Sequence, residues 1–419
     1  MRYKLYCIAA MVAVALPLTS KGQDGIDESS VAQVPAPAST SSLEPIATSA
    51  DFPADIGLTS ATTTSAGRPD HYTEIEYLLW SIDGGSSPAL LTSNPTGTPL
   101  ANIGSLTDPS TRVVMGGDDF GGVQSGIRAR YGHMLRGDLA SRLELSGWWL
   151  FSNGSEWNFE SSPENPILAR PFVNAQTGLA DAQVISFPGL IDGSMQGTYD
   201  RRLFGIDPMF FGCISGSGNG SLEYMTGYKF LRYEDELVLV ERISPAAGGL
   251  IAPGTEIQVE DRFAARNDYH LLPLGLNFTR TGKLWRLGLR VQTGIGYVHQ
   301  RLDVRGRTTT TVNGDVTSVE DGGLLALSSN SGIFDRNEFA WVPEFNLTFR
   351  RNIRGGLWAN VGYTFVYLSD VVQAVSHIDS QIDPNLVPPA LSSGTRPAFS
   401  FQSDDAVIHG LNAGLQWNY

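Results

Sequence analysis

Nowhere in this 419-residue chain do about twenty apolar residues follow one another, which excludes a helical membrane span. The longest apolar run, Leu5 to Leu18, is too short for that role and is broken by Pro17. It follows the basic residues Arg2 and Lys4 and precedes the small residues Ser20 and Gly22, so residues 1–22 read as a secretion signal. Cysteine is almost missing. Cys7 lies inside the signal without a lipoprotein context, and Cys213 alone cannot make a disulfide framework or a cysteine-based metal site. Basic residues are few, 29 Lys and Arg against 43 Asp and Glu, and a net charge of −14 argues against nucleic acid as a partner. The six histidines, His71, His133, His270, His299, His377 and His409, stand singly without ligand spacing, so neither metal nor cofactor is expected. Residues 23–70 have almost no aromatics and are rich in Ser, Thr, Ala and Pro. They cannot bury enough apolar surface to offset their ordering entropy and read as a disordered periplasmic leader, a passive linker rather than a cell-wall contact.

What the chain has instead is alternation. From Val407 to Tyr419 one row reads Val407, His409, Leu411, Ala413, Leu415, Trp417, Tyr419, and the other Ile408, Gly410, Asn412, Gly414, Gln416, Asn418. Successive strand side chains point to opposite faces, so this is a strand with one apolar and one polar face. Trp285 to Tyr297 is clearer still. Its apolar row carries an aromatic at each end, the spacing of two interfacial girdles, and its other row holds Arg286 and Arg290. The same reading gives strands around Ile127–Tyr131, Leu143–Trp149, Leu222–Phe230, Leu272–Phe278, Trp341–Phe349 and Leu357–Tyr367. Alternation is blurred in Tyr72–Ile82 and Tyr199–Phe211.

Short connections, around Leu135–Asp138, Ile214–Gly220, Arg280–Lys283 and Arg351–Gly356, alternate with long ones, roughly 84–121, 152–194, 234–262, 300–335 and 369–404. Five long and four short connections join ten strands and put both ends of residues 71–419 on the short-turn, periplasmic side. The expected fold is therefore all-β: a transmembrane antiparallel up-and-down barrel of about ten strands, with short periplasmic turns and long extracellular loops. Asn313-Gly314 is a hairpin signal between polar segments, so that hairpin belongs in water. Leu237–Arg242 and Thr255–Phe263 look similar.

The segments between strands carry a resemblance. Glu76-Tyr77-Leu78-Leu79-Trp80, Pro88-Ala89-Leu90-Leu91-Thr92, Gly117-Asp118-Asp119, Leu168-Ala169-Arg170-Pro171-Phe172 and Phe187-Pro188-Gly189 come first. Gly227-Tyr228-Lys229-Phe230-Leu231, Arg266-Asn267, Gly323-Leu324-Leu325-Ala326-Leu327, Val342-Pro343-Glu344 and Gly362-Tyr363 follow. In this order and spacing the chain resembles the beta-barrel porin family 7 found mostly in planctomycete outer membranes. The resemblance implies a bacterial outer-membrane barrel and a porin role, with no catalytic residue.

The expected lumen-lining residues are Arg128, Arg130, Arg142, Glu144, Glu223, Lys229, Arg286, Arg290, Glu344 and Arg350. They suit either a narrow charge-lined passage for small solutes or ions, or a plug of ion pairs in a non-conducting structural or adhesive barrel. A width of ten strands lies near the filled end of the range. The long loops, with apolar clusters at Leu90-Leu91, Val113-Val114-Met115 and Leu324 to Leu327, are expected to pack on one another. The expected partners are outer-membrane lipid and, through the strand ending in Trp417 and Tyr419, the barrel-assembly machinery. A rim hydrolase would draw on Asp118-Asp119 or on His299 with Asp303; no enzyme is expected, because Asp118 and Asp119 face apart unless a loop brings them together and His299 reads as an interfacial or rim residue. Asp404-Asp405 read as solvated acids rather than a calcium cage.

Overall fold

The computed structural model describes residues 70–419 apart from 118–119, 136–140, 153, 246–253 and 391–392. The expected signal and nearly all of the expected leader lie outside the described residues, as do Asp118 and Asp119.

Ten antiparallel strands form a closed ring. They are β1 (His71–Ile82), β2 (Gly122–Leu135), β3 (Ser141–Leu150), β4 (Ile191–Ser217), β5 in two lengths (Gly220–Gly227 and Lys229–Pro245), β6 (Thr255–Thr281), β7 (Trp285–Val312), β8 (Gly332–Arg354), β9 (Leu357–Val371) and β10 (Asp404–Asn418). Each pairs with its neighbours in the chain, and β10 returns to β1 from Tyr72↔Asn418 to Ile82↔Ile408. Closure leaves the ring without an edge, the one way a sheet can satisfy its backbone inside lipid. β5 is interrupted at Tyr228, whose N–H still reaches the Pro208 carbonyl at 3.0 Å.

The outward rows mark the membrane. On β6, Leu272, Leu274, Leu276 and Phe278 are exposed, and on β7 Trp285, Val291, Ile295 and Tyr297 are exposed. At about 3.3 Å per residue and a tilt near 40°, the twelve steps from Trp285 to Tyr297 climb about 30 Å, enough to cross the apolar band of about 25 Å with a girdle aromatic at each side. Above Tyr297 the same outward row turns polar with His299, Arg301, Asp303, Arg305 and Arg307. β4 to β8 therefore stand well above the membrane. The connections expected at 234–262 and 300–335 are largely strand, because β5 runs to Pro245 and β7 to Val312 before its hairpin partner Asp315–Asp321.

The remaining long connections build a second, five-stranded sheet. Ser87–Asn94 pairs with Arg112–Gly117 and Ile167–Asn174, and the last also pairs with Ala180–Ser186 and Gln381–Ile382. Leu90, Leu91 and Met115 of the first connection and Leu324 to Leu327 of the fourth are buried in one apolar cluster with Leu237, Leu239, Phe263, Leu302 and Val304 from the raised barrel wall. The loops form a packed dome over the barrel mouth.

Candidate functional site

The lumen has three layers. The lowest is charged and crosses the barrel. Arg290 of β7 donates to both oxygens of Glu144 on β3, at 2.9 and 3.2 Å. Arg350 of β8 reaches Glu74 on β1 at 3.1 Å, and Asn360 of β9 meets the same carboxylate at 2.6 Å. Lys229 of β5 bonds Glu344 of β8, and Arg142 of β3 bonds Glu223 of β5. The Arg290–Glu144, Arg350–Glu74 and Lys229–Glu344 bonds join strands three or four places apart in the ring and so reach across the lumen, whereas Arg142–Glu223 and Asn360–Glu74 each bridge over a single strand. Between β1 and β2, Arg128 meets Glu76 at 2.6 Å, and Arg130 meets Glu74 and Glu76 at 3.0 Å each. Buried charges are tolerable only when paired and hydrogen-bonded, and here each carboxylate serves several donors. The cavity left among Trp80, Arg128, Arg130, Asp207, Lys229, Arg290 and Glu344 measures about 20 Å³, room for about one water molecule.

Above the charges lies an apolar layer of Leu78, Trp80, Ile82, Trp148, Leu150, Leu203, Leu231, Tyr233, Tyr269, Val298 and Ile408. Above that sits the dome, which polar residues of the raised wall hold loop by loop. Arg170 of the second connection is buried between Asp261 of β6 at 2.7 Å and Glu241 of β5 at 3.2 Å. Asp261 also accepts the backbone N–H groups of Leu324, Leu325 and Ala326, the last two at 2.9 and 2.8 Å. A side chain at Gly323 would place a carbon 2.1 Å from the same carboxylate, so only glycine lets this loop approach. Asn267 of β6 holds the fifth connection by accepting from the Val372 N–H and donating to its carbonyl, both at 2.8 Å. Asp235 accepts from the Tyr199 hydroxyl at 3.0 Å and from the Ala374 N–H. Burial pushes Asp235 up to about 7, against those hydrogen bonds and Arg201. Burial pushes Glu241 up to about 7 as well. Arg170 opposes the rise and the Asp261 charge adds to it.

The ten expected lumen residues all fall on inward rows of the strands. Arg286 sits with its guanidinium 5.0 Å from the centre of the Trp358 ring, and Arg142 lies 3.7 Å from that of Phe211. Sequence reasoning missed Glu74, Glu76 and Asp207, which lie on β1 and β4, where alternation is blurred. The cause is physical. The upper inward rows of these strands, Leu78, Trp80 and Ile82 on β1 and Leu203 on β4, belong to the apolar layer, so both faces are apolar there. The signal for the two glutamates was present in their parity, opposite to Ile75, Tyr77 and Leu79. The dome anchors Asp235, Glu241 and Asp261 were also missed. Arg170 and Asn267 stood only among the stretches quoted for the resemblance.

The structure does not unite the expected hydrolase pair. His299 bonds Asn337 at 3.0 Å, whereas Asp303, four residues further along the same strand, faces Arg262 at 3.3 Å and Arg305 at 2.8 Å. Asp404 and Asp405 are exposed at the start of β10.

A family described as Putative beta barrel porin-7 matches residues 72–419, the whole barrel with its dome. The chain belongs to that family. As a porin-family barrel it is also similar in fold to solved structures at low identity. The outer membrane protease OmpT from Escherichia coli is 10% identical, covering 84% of this chain and 97% of that one, with a TM-score of 0.39. The toluene transporter TodX from P. putida is 7% identical, covering 84% of this chain and 91% of that one, with a TM-score of 0.20. A deletion mutant of the monoaromatic hydrocarbon channel TodX is 9% identical, covering 84% of this chain and 91% of that one, with a TM-score of 0.23. No curated protein matches the sequence.

Proposed function

We propose that this porin-family barrel, seated in a bacterial outer membrane, passes no solute in its resting conformation and serves as an anchor that presents the dome outside the cell. The observation that carries this reading is the filled lumen. Cross-barrel ion pairs leave a cavity of about 20 Å³, and an apolar layer and a packed dome lie above it. An ion would have to displace the Arg290–Glu144 and Lys229–Glu344 pairs, cross the apolar layer above them and then break the anchors of the packed dome. Planar-bilayer recordings of the purified protein test this directly. Silence is expected, and discrete conductance steps from the unmodified chain overturn the reading. The family description favours the second reading, a narrow charge-lined passage that opens when the plug shifts. On that reading steps appear, and Arg286→Ser with Arg290→Ser changes their ion selectivity.

A further inference from the structure

We propose that His71 and His133, with Tyr131 beside them, form a binding site for a divalent metal ion of the zinc class on the outer face of the barrel at its periplasmic rim. His71 begins β1 and His133 lies near the end of β2, and the two are paired directly across the ladder. Both share parity with outward residues, His71 with the exposed Ile75 and His133 with the exposed Tyr131. Their Nδ1 atoms are 3.2 Å apart. The ring centroids are farther apart, at 4.6 Å with an interplanar angle of 26°, so the rings lean together at their Nδ1 edges. Two imidazole nitrogens bound to one tetrahedral zinc ion at 2.0–2.1 Å stand about 3.3 Å from each other. The separation of the two nitrogens therefore matches that of a two-imidazole chelate.

Proton counting supports the same reading. A neutral imidazole offers one N–H and one lone pair. The His71 Nδ1 faces two groups at hydrogen-bond distance, the His133 Nδ1 and the Tyr131 hydroxyl, the latter at 2.7 Å. One atom cannot satisfy both fully through a single proton or lone pair, whereas a metal ion takes a lone pair from each nitrogen. The frame is rigid. The His71 N–H donates to the Tyr419 carbonyl at 3.0 Å, and the Tyr419 ring stacks on His71 at 5.7 Å. Among the described residues no cluster of three or more histidine, cysteine or acidic side chains suits a metal, so this is a two-imidazole chelate whose remaining positions fall to water and the phenol. The histidines lie 62 residues apart in the chain, which is why ligand spacing did not reveal them.

The test is calorimetric titration of Zn²⁺ alone into the detergent-solubilised full chain. One ion per chain is expected. His71→Ala and His133→Ala should each weaken binding by about tenfold or more, and Tyr131→Phe by less. His133→Gln keeps the side-chain volume and removes the nitrogen ligand, so it should weaken binding equally while circular dichroism shows an intact barrel. His299→Ala should change nothing. Co²⁺ should give the strong visible absorption of a tetrahedral centre in the wild type and lose it in His133→Gln. Absence of stoichiometric zinc binding, or binding unchanged when both histidines are replaced, overturns the proposal.

Discussion

Strand β6 passes through two environments and obeys opposite rules in them. Within the membrane its outward residues are Leu272, Leu274, Leu276 and Phe278, and its lower inward row includes the buried Asn277. Above the membrane its outward residues are Arg262, Arg266 and Asp268, and its inward residues are Phe263, Ala265 and Tyr269. Nothing in the ladder changes at the crossing. The pairing with β7 runs without a register shift from Thr281↔Arg286 to Thr255↔Val312. What changes is the solvent on the outside. Hydrocarbon selects an apolar exterior and leaves the lumen to polar groups, whereas water selects a charged exterior and an apolar core. One strand thus teaches that apolar-outside is a statement about surroundings and not about the sheet.

The comparison can be broken most strongly in the dome. Arg170→Ala should leave Glu241 and Asp261 buried without their cation, at a cost of about 3–5 kcal/mol. Limited proteolysis should then cut the loops readily while the strands below stay protected. Loss of the whole barrel would show that the two regions fold as one. Next comes the lipid face. Leu274→Arg should destabilise the barrel by about 2–4 kcal/mol in a urea titration in lipid vesicles, as a charge near the midplane does. Its counterpart ten residues earlier on the same outward row, Ala264→Arg, should stay within about 0.5 kcal/mol, because it faces water. Equal effects at the two positions would abolish the boundary drawn here.

A pH effect sharpens the contrast further. Glu241 and Asp235 are both raised to about 7 by burial, against ordinary carboxyl values near 4. The folded dome therefore binds more protons than the opened one between those values. Its stabilisation is fully present below about pH 4, declines as pH rises to about 7, and is level above. Hydrogen exchange of dome amides, corrected for intrinsic rates, should follow this course, and Glu241→Gln should flatten part of it.

Legibility in the sequence tracked the same divide. Where one face met lipid and the other met charge, as on Trp285 to Tyr297, alternation alone gave strand, register and orientation. Where the lumen turns apolar, as at Leu78, Trp80 and Ile82, both faces looked alike and the inward Glu74 and Glu76 went unnoticed. The dome was visible only as apolar clusters in long connections. Its anchors are single polar residues, such as Arg170 and Asp261, whose meaning depends on contacts across 91 positions. No local pattern encodes such a distance. The cross-strand pair His71 and His133 escaped for the same reason.

The unbroken ladder between β6 and β7 has a mechanical consequence. A tug on the hairpin tip at Asn313-Gly314, directed away from the cell, pulls along the strand axis and loads the hydrogen bonds beside the 27 residues of β6 in parallel rather than one after another. Sheets loaded in that direction resist shear and do not unzip. A force applied to the protruding wall would therefore be carried by the same ladder down into the membrane-spanning strands.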